Sequence, residues 1–151
     1  MAQLAAGVAV VTVRDDRDDL GVTVSAIMSV SLDPPMVLVS LASRGYLAEV
    51  LLRQDRWAAS LLSSGQAAIA SRFAMAGRPS ARLLVASLPH HRGAESDALI
   101  VEGGVAALEA ETVQVVPAGD HTLFIARVLG VPYVSGGQPL VRLRGRYRPM
   151  A

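Results

Sequence analysis

GVTVSAIMSVSLDPPMVLVSL, residues 21–41, is the stretch on which the fold turns. From Val22 to Leu32 the even positions are Val22, Val24, Ala26, Met28, Val30 and Leu32, all apolar. The odd positions are Thr23, Ser25, Ile27, Ser29 and Ser31, four of them hydroxyl residues. Strict period-2 alternation predicts a single half-buried β-strand here. Its polar side carries none of the Lys, Glu, Arg or Gln that usually face water. Short hydroxyl groups offer hydrogen bonds in little space, which suits a flat polar ligand lying against the backbone. The same residues would also serve as ordinary β-compatible surface on a barrel strand. Asp33-Pro34-Pro35 follows, and proline fixes φ and removes a ladder donor, so the pair predicts a turn or a sheet edge. Met36–Leu41 is almost continuously apolar, the pattern of a central strand.

Working outward, GVAVVTV at Gly7–Val13 predicts a strand, and RDDRDD at Arg14–Asp19 predicts a solvated hairpin loop whose spacing is not that of a calcium site. Downstream, Ser43-Arg44-Gly45 opens a helix over Tyr46–Gln54, with Leu47, Val50 and Leu51 on one face. Arg56–Leu62 reads as a strand with Trp57 as a core or interface anchor. Ser63 and Ser64 can cap a helix from about Gly65 to Ala74. Met75–Ala94 is the least regular stretch. Its His90-His91 pair reads as loop, because adjacent side chains point apart and no third ligand lies at metal spacing. Val105–Val116 and His121–Val131 predict an antiparallel pair around Pro117-Ala118-Gly119-Asp120, and Leu140–Tyr147 a final strand. Strands outnumber helices and no long crossover helix separates them. The chain therefore reads as mainly β, an antiparallel barrel with two or three short helices, and not as a doubly wound sheet.

Composition narrows the chemistry. A chain of 151 residues with 52% hydrophobic and 18% charged residues suits one globular domain over residues 1–151. There is no cysteine, which removes disulfides, thiolate nucleophiles and cysteine-held metals. All 14 basic residues are Arg, so lysine Schiff bases are excluded. Net charge of +1 and 4% aromatics argue against nucleic acid. The apolar start MAQLAAGVAVVTV has no basic flank and is too short to span a bilayer, so no membrane partner and a cytoplasmic location are the expectations. Neither GxGxxG nor a P-loop occurs, and a nucleotide would need another device.

TVSAIMSVSLDPPMVLVSL resembles the diagnostic segment of the flavin reductase-like family, the FMN-binding split barrels of Greek-key type that include reductase components of two-component monooxygenases. GVAVVTV, RFA at Arg72–Ala74, PAGDHTLFIARV at Pro117–Val128 and QPLVRLRGRYR at Gln138–Arg148 are similar to further family blocks, in the family's order. The resemblance implies an NAD(P)H:flavin oxidoreductase. Hydride would pass from NADH or NADPH to FMN, or FAD, and reduced flavin would go to a partner monooxygenase. It implies flavin contacts from Thr23, Val24, Ser25 and Ala26, with Ser29 close behind. Ser40, Leu41, Ala42, Ser43 and Arg44 would meet ribityl and phosphate, and a guanidinium ahead of a helix start suits a phosphate.

Arg72 is a second phosphate candidate or a solvated helix-end residue. By the same resemblance, His121 borders the nicotinamide site; no metal is implied. The chain departs from the family at Ala26, Gly45 and Leu47, where relatives carry hydroxyl or amide groups. That keeps a second reading open, a flavin- or tetrapyrrole-binding split barrel without turnover. The surplus of apolar residues over the inward positions of a small barrel predicts a homodimer.

Overall fold

A computed structural model of the chain describes residues 1–150. Seven antiparallel strands form one sheet. They are β2 (Ala9–Asp15), β3 (Asp18–Val24), β4 (Ile27–Leu32), β5 (Pro35–Ala42), β6 (Arg56–Leu61), β9 (Ala106–Ala118) and β10 (His121–Val134). Their spatial order is β3-β2-β6-β9-β10-β5-β4. Two smaller sheets flank it. One holds β1 (Ala6–Gly7), β11 (Leu140–Leu143) and β12 (Arg146–Pro149); the other holds β7 (His90–Arg92) and β8 (Leu99–Val101). Among the described residues there are three short helices, α1 (Tyr46–Leu51), α2 (Ala67–Ala74) and α3 (Ala81–Leu84).

The strand expected over Val22–Leu32 is two strands. β3 and β4 lie at opposite ends of the seven-stranded order, yet only Ser25 and Ala26 separate them in sequence. The three Cα–Cα steps from Val24 to Ile27 reach about 11 Å at most, so the sheet must curl until its ends meet. The Ser40 amide, on β5, donates to the Ala26 carbonyl at 2.9 Å and carries the β4–β5 ladder up to the corner. The result is the split barrel that the family resemblance implied, and the antiparallel barrel that the strand pattern predicted. Alternation misled in detail because a sharp corner without glycine or proline leaves the period-2 pattern unbroken. On β4 the apolar positions face outward: Met28 is 59% and Leu32 88% exposed.

Inside the barrel, Val11, Val13, Val39, Leu41, Phe124 and Trp57 pack with Leu47, Val50 and Leu51 of α1. Trp57 is fully buried, and its indole N–H donates to the Thr112 hydroxyl at 3.0 Å. A second cluster lies under α2 and α3 around Phe73, Val10, Leu62 and Leu140.

Several expected boundaries shift for local reasons. The helix expected over Tyr46–Gln54 stops at Leu51, because the amides of Leu52, Arg53 and Gln54 close a final turn on Glu49 and Val50. The helix expected from Gly65 begins as a 3-10 turn, Ser64–Gln66, whose Gln66 side chain accepts from the Ser63 amide at 3.0 Å before α2 continues. His90 and His91 lie on the short strand β7, with His91 3.0 Å from Glu102. The final strand is a hairpin of β11 and β12, since Arg144 and Gly145 both adopt positive φ, the geometry of a tight two-residue turn.

The expected solvated loop at Arg14–Asp19 is anchored. Asp15 accepts from Arg53 and Gln54, and Asp19 is only 3% exposed. Arg92 grips Asp19 with two hydrogen bonds, at 2.8 and 3.1 Å. Glu109 is likewise buried, and there the amides of Glu95 and Ser96 and the Ser96 hydroxyl donate to its carboxylate.

Candidate functional site

Strand pairing around the corner sets the geometry of the site. The β4–β5 ladder holds the Ser25–Ala26 corner against Ser40, and β5 then runs two residues further, to Ala42. β10 pairs antiparallel with that end of β5, placing His121 opposite Ala42 and Thr122 opposite Leu41. Beyond the strand, the Ser43 amide donates to the Asp120 carbonyl at 2.9 Å, and the Ser43 and Thr122 hydroxyls are 2.8 Å apart. Segments 25–26, 40–44 and 119–122, which are remote in sequence, are thus tied into one patch. An open cleft of ≈ 570 Å³ lies there, lined by Ala42, Ser43, Arg44, Gly119 and Asp120. That volume is within the usual span of small-ligand sites.

The expected binding residues occupy different places in this arrangement. Ser40, Ala42, Ser43, Arg44 and His121 come together at the closure, with Ser25 and Ala26 one hydrogen bond away. Leu41 and Val24 are buried and can offer a ligand only backbone groups. Thr23 spends its hydroxyl on the Ala70 carbonyl of α2, at 2.6 Å. That bond fixes the helix that carries the exposed Arg72 two residues on. Ser29 stands apart, on the outer strand β4 opposite Val37, five residues before Ala42.

Arg44 is exposed at the cleft and makes no ion pair among the described residues, so its guanidinium is available to an anion. His121 is hydrogen-bonded through Nδ1 to the Asp120 carboxylate at 2.7 Å. That hydrogen bond, followed by the imidazole's charge, holds the Asp120 carboxyl below its ordinary value. Asp120 therefore aims the ring as well as shaping the turn. Thr122 was not singled out from sequence, and its place beside Ser43 depends on the strand register alone. The residues suit a flavin nucleotide. They provide a cleft of the right size, short hydroxyls at its wall and an unpaired guanidinium, with no carboxylate but Asp120 among the lining residues.

If His121 borders the nicotinamide, His121→Ala should raise KM for the nicotinamide nucleotide by about 3- to 10-fold, a loss of roughly one hydrogen bond. Flavin affinity should stay nearly the same. Steady-state kinetics at saturating flavin measure this, and an unchanged KM and kcat would return His121 to a purely structural role.

Comparison with known proteins agrees with this geometry. The family model described as "Flavin reductase like domain" matches residues 1–151. The NADH-dependent FMN reductase AsuE2 of Streptomyces nodosus subsp. asukaensis is 39% identical over 148 residues, covering 97% of this chain and 80% of that protein. The reductase component of 4-hydroxyphenylacetate 3-monooxygenase from Thermus thermophilus is 34% identical, covering 98% of this chain and 91% of its own length. A solved structure of the Streptomyces globisporus NADH:FAD oxidoreductase SgcE6, in complex with NAD and FAD fragments, superposes with a TM-score of 0.90 at 29% identity. That superposition covers 99% of this chain and 88% of SgcE6. With the family model matching its whole length and these relatives covered over most of theirs, the chain belongs to the flavin reductase-like family.

Proposed function

We propose that the protein is an NAD(P)H-dependent flavin reductase that supplies reduced flavin to a partner monooxygenase. The observation that carries this reading is the meeting of Ser25–Ala26, Ser40–Arg44 and Gly119–Thr122 at the barrel closure. It occurs in a chain whose relatives are named as NADH-dependent flavin reductases and monooxygenase reductase components. Those names favour turnover over a binding protein without activity.

The redox chemistry is the flavin's, whose N5 accepts hydride from nicotinamide C4. The protein's work is to bind and align. The backbone at 23–26 and 40–42 offers a ledge for the ring, and Ser43 and Arg44 hold the phosphate. His121, aimed by Asp120, orients the nicotinamide. Ser29, on β4, and Arg72, on α2, stand outside this group, and residues 1–151 act as one domain.

Fluorescence titration tests the core of this reading. FMN emission should be quenched with a Kd of micromolar or tighter, about −8 kcal/mol. No quenching at tens of micromolar protein would sink it. Anaerobic addition of NADH to the complex should then bleach the flavin.

The working form is a homodimer in the cytoplasm. Among the described residues no helix is long and apolar enough to cross a membrane. The outward sides of β4, β5, β10 and β9 line up Met28, Leu38 and Ile125 in one row, ending at Gln114, and Leu123 and Val116 in the next, beside Ser40. Met28 is exposed, the other apolar residues of the two rows are half-buried, and Leu32 projects at the end of β4. A contiguous apolar sheet face of this kind is suited to pairing with its own copy about a two-fold axis. Sedimentation at micromolar concentration should give about twice the chain mass of 15.8 kDa. A monomer that still reduced flavin would refute it.

A further inference from the structure

Arg78 is the one half-buried arginine here whose recorded partners are all backbone carbonyls. Its Nε–H donates to the Gly21 carbonyl at 2.6 Å and an Nη1–H to the Met75 carbonyl at 3.2 Å. Burial pushes its pKa down from the ordinary value. Arg92, a half-buried arginine held to the same strand β3, faces two carboxylates, Asp19 and Asp97. Charges taken out of water are normally compensated, and no carboxylate makes an ion pair with Arg78 among the described residues. Three of its five N–H groups remain without a protein acceptor.

The same guanidinium lines a cleft of ≈ 270 Å³ between β3, the start of α1 and the loop after α2. Leu20, Leu47 and Pro79 line it with three glycines, and none of the cleft's lining residues is acidic. Tyr46 lines it too, with 54% of its surface exposed. An exposed aromatic ring beside an uncompensated arginine matches a base with a phosphate attached: the ring stacks on the base and the guanidinium takes the phosphate. Only the step from Arg44 to Gly45 separates this cleft from the one that receives the flavin phosphate.

We infer that the Tyr46–Arg78 cleft is an adenylate subsite, which takes the adenosine monophosphate half of a dinucleotide whose other half occupies the reductase site. The inference rests on the flavin reductase reading. Two dinucleotides of this reaction class carry that half, FAD and the nicotinamide nucleotide, and the adenylate chemistry is common to both.

The test uses Arg78→Met, which keeps the stem's packing, and Tyr46→Leu, which keeps the apolar contact but removes the ring. Dissociation constants for riboflavin, FMN and FAD are measured alongside KM for NADH with riboflavin as acceptor. Weakening of FAD by about 10-fold or more, with FMN and riboflavin within about 2-fold, supports the subsite and assigns it to FAD. A comparable rise in KM for NADH with all three flavin affinities retained supports it and assigns it to the nicotinamide nucleotide. Free AMP should then compete with the assigned dinucleotide in the wild type and lose that competition in both variants. Equal losses for all ligands, or no change for any, would overturn the inference and leave Arg78 a staple between β3 and its loop. If Arg78→Met fails to fold, Tyr46→Leu and the AMP competition decide alone. Wild-type protein that neither binds nor reduces riboflavin would fail the reductase reading itself, an outcome distinct from all of these.

Discussion

Arg92→Ala should lower folding stability by about 3 kcal/mol and the melting temperature by roughly 6–12 °C for a chain of this size. Asp19 would remain buried with its two strongest donors gone. Its only other cation, Arg82, stands at 3.9 Å. Removing one partner of a buried pair costs about 3–5 kcal/mol, because the remaining charge stays desolvated. The lower end applies, since Arg92 itself is a third exposed and water can partly replace it. Arg92→Ala combined with Asp19→Asn should recover part of the loss. Urea unfolding of both variants measures the effect, and a change below about 1 kcal/mol would show the pair to be a bystander.

Arg44→Ala should weaken FMN by about 10- to 100-fold while leaving riboflavin within about 2-fold, the loss of one or two charge-assisted hydrogen bonds to a phosphate. Arg44 sits at the rim of the cleft with nothing else to hold, so its removal should not disturb the fold. The comparison of two ligands that differ only by the phosphate makes the result specific. Equal losses would mean that Arg44 acts through the local backbone.

What could be read in the sequence was whatever depends on local periodicity and turn chemistry. Met36–Leu41 carried the pattern of an interior strand because β5 is flanked on both sides and buries Val37, Val39 and Leu41. The Gly119-Asp120 turn was visible because Gly119 needs positive φ. The corner at Ser25–Ala26 was hidden, since it is imposed by a ring closing between residues far apart in sequence and has no turn residue of its own. Asp19 was misjudged for a related reason: its partner Arg92 lies 73 residues away, and one charged hairpin looks like another until the distant arginine arrives. The flavin segments were legible through their resemblance to the family. Their convergence with Thr122, and the pairing of Tyr46 with Arg78, exist only in three dimensions.

The corner between β3 and β4 also sets an order of assembly. The corner joins strands at the two opposite edges of the sheet, so it reaches its final shape only after the seven strands have paired and the sheet has curled. Contacts of such separation carry a loop-closure cost and form late. With the flavin in the proposed site beside this corner, its binding would draw the folding equilibrium toward the closed ring by mass action. In the reverse direction, loosening at this corner would on that proposal release flavin before the core melts, and loss of flavin fluorescence quenching would then be the first sign that the ring has opened.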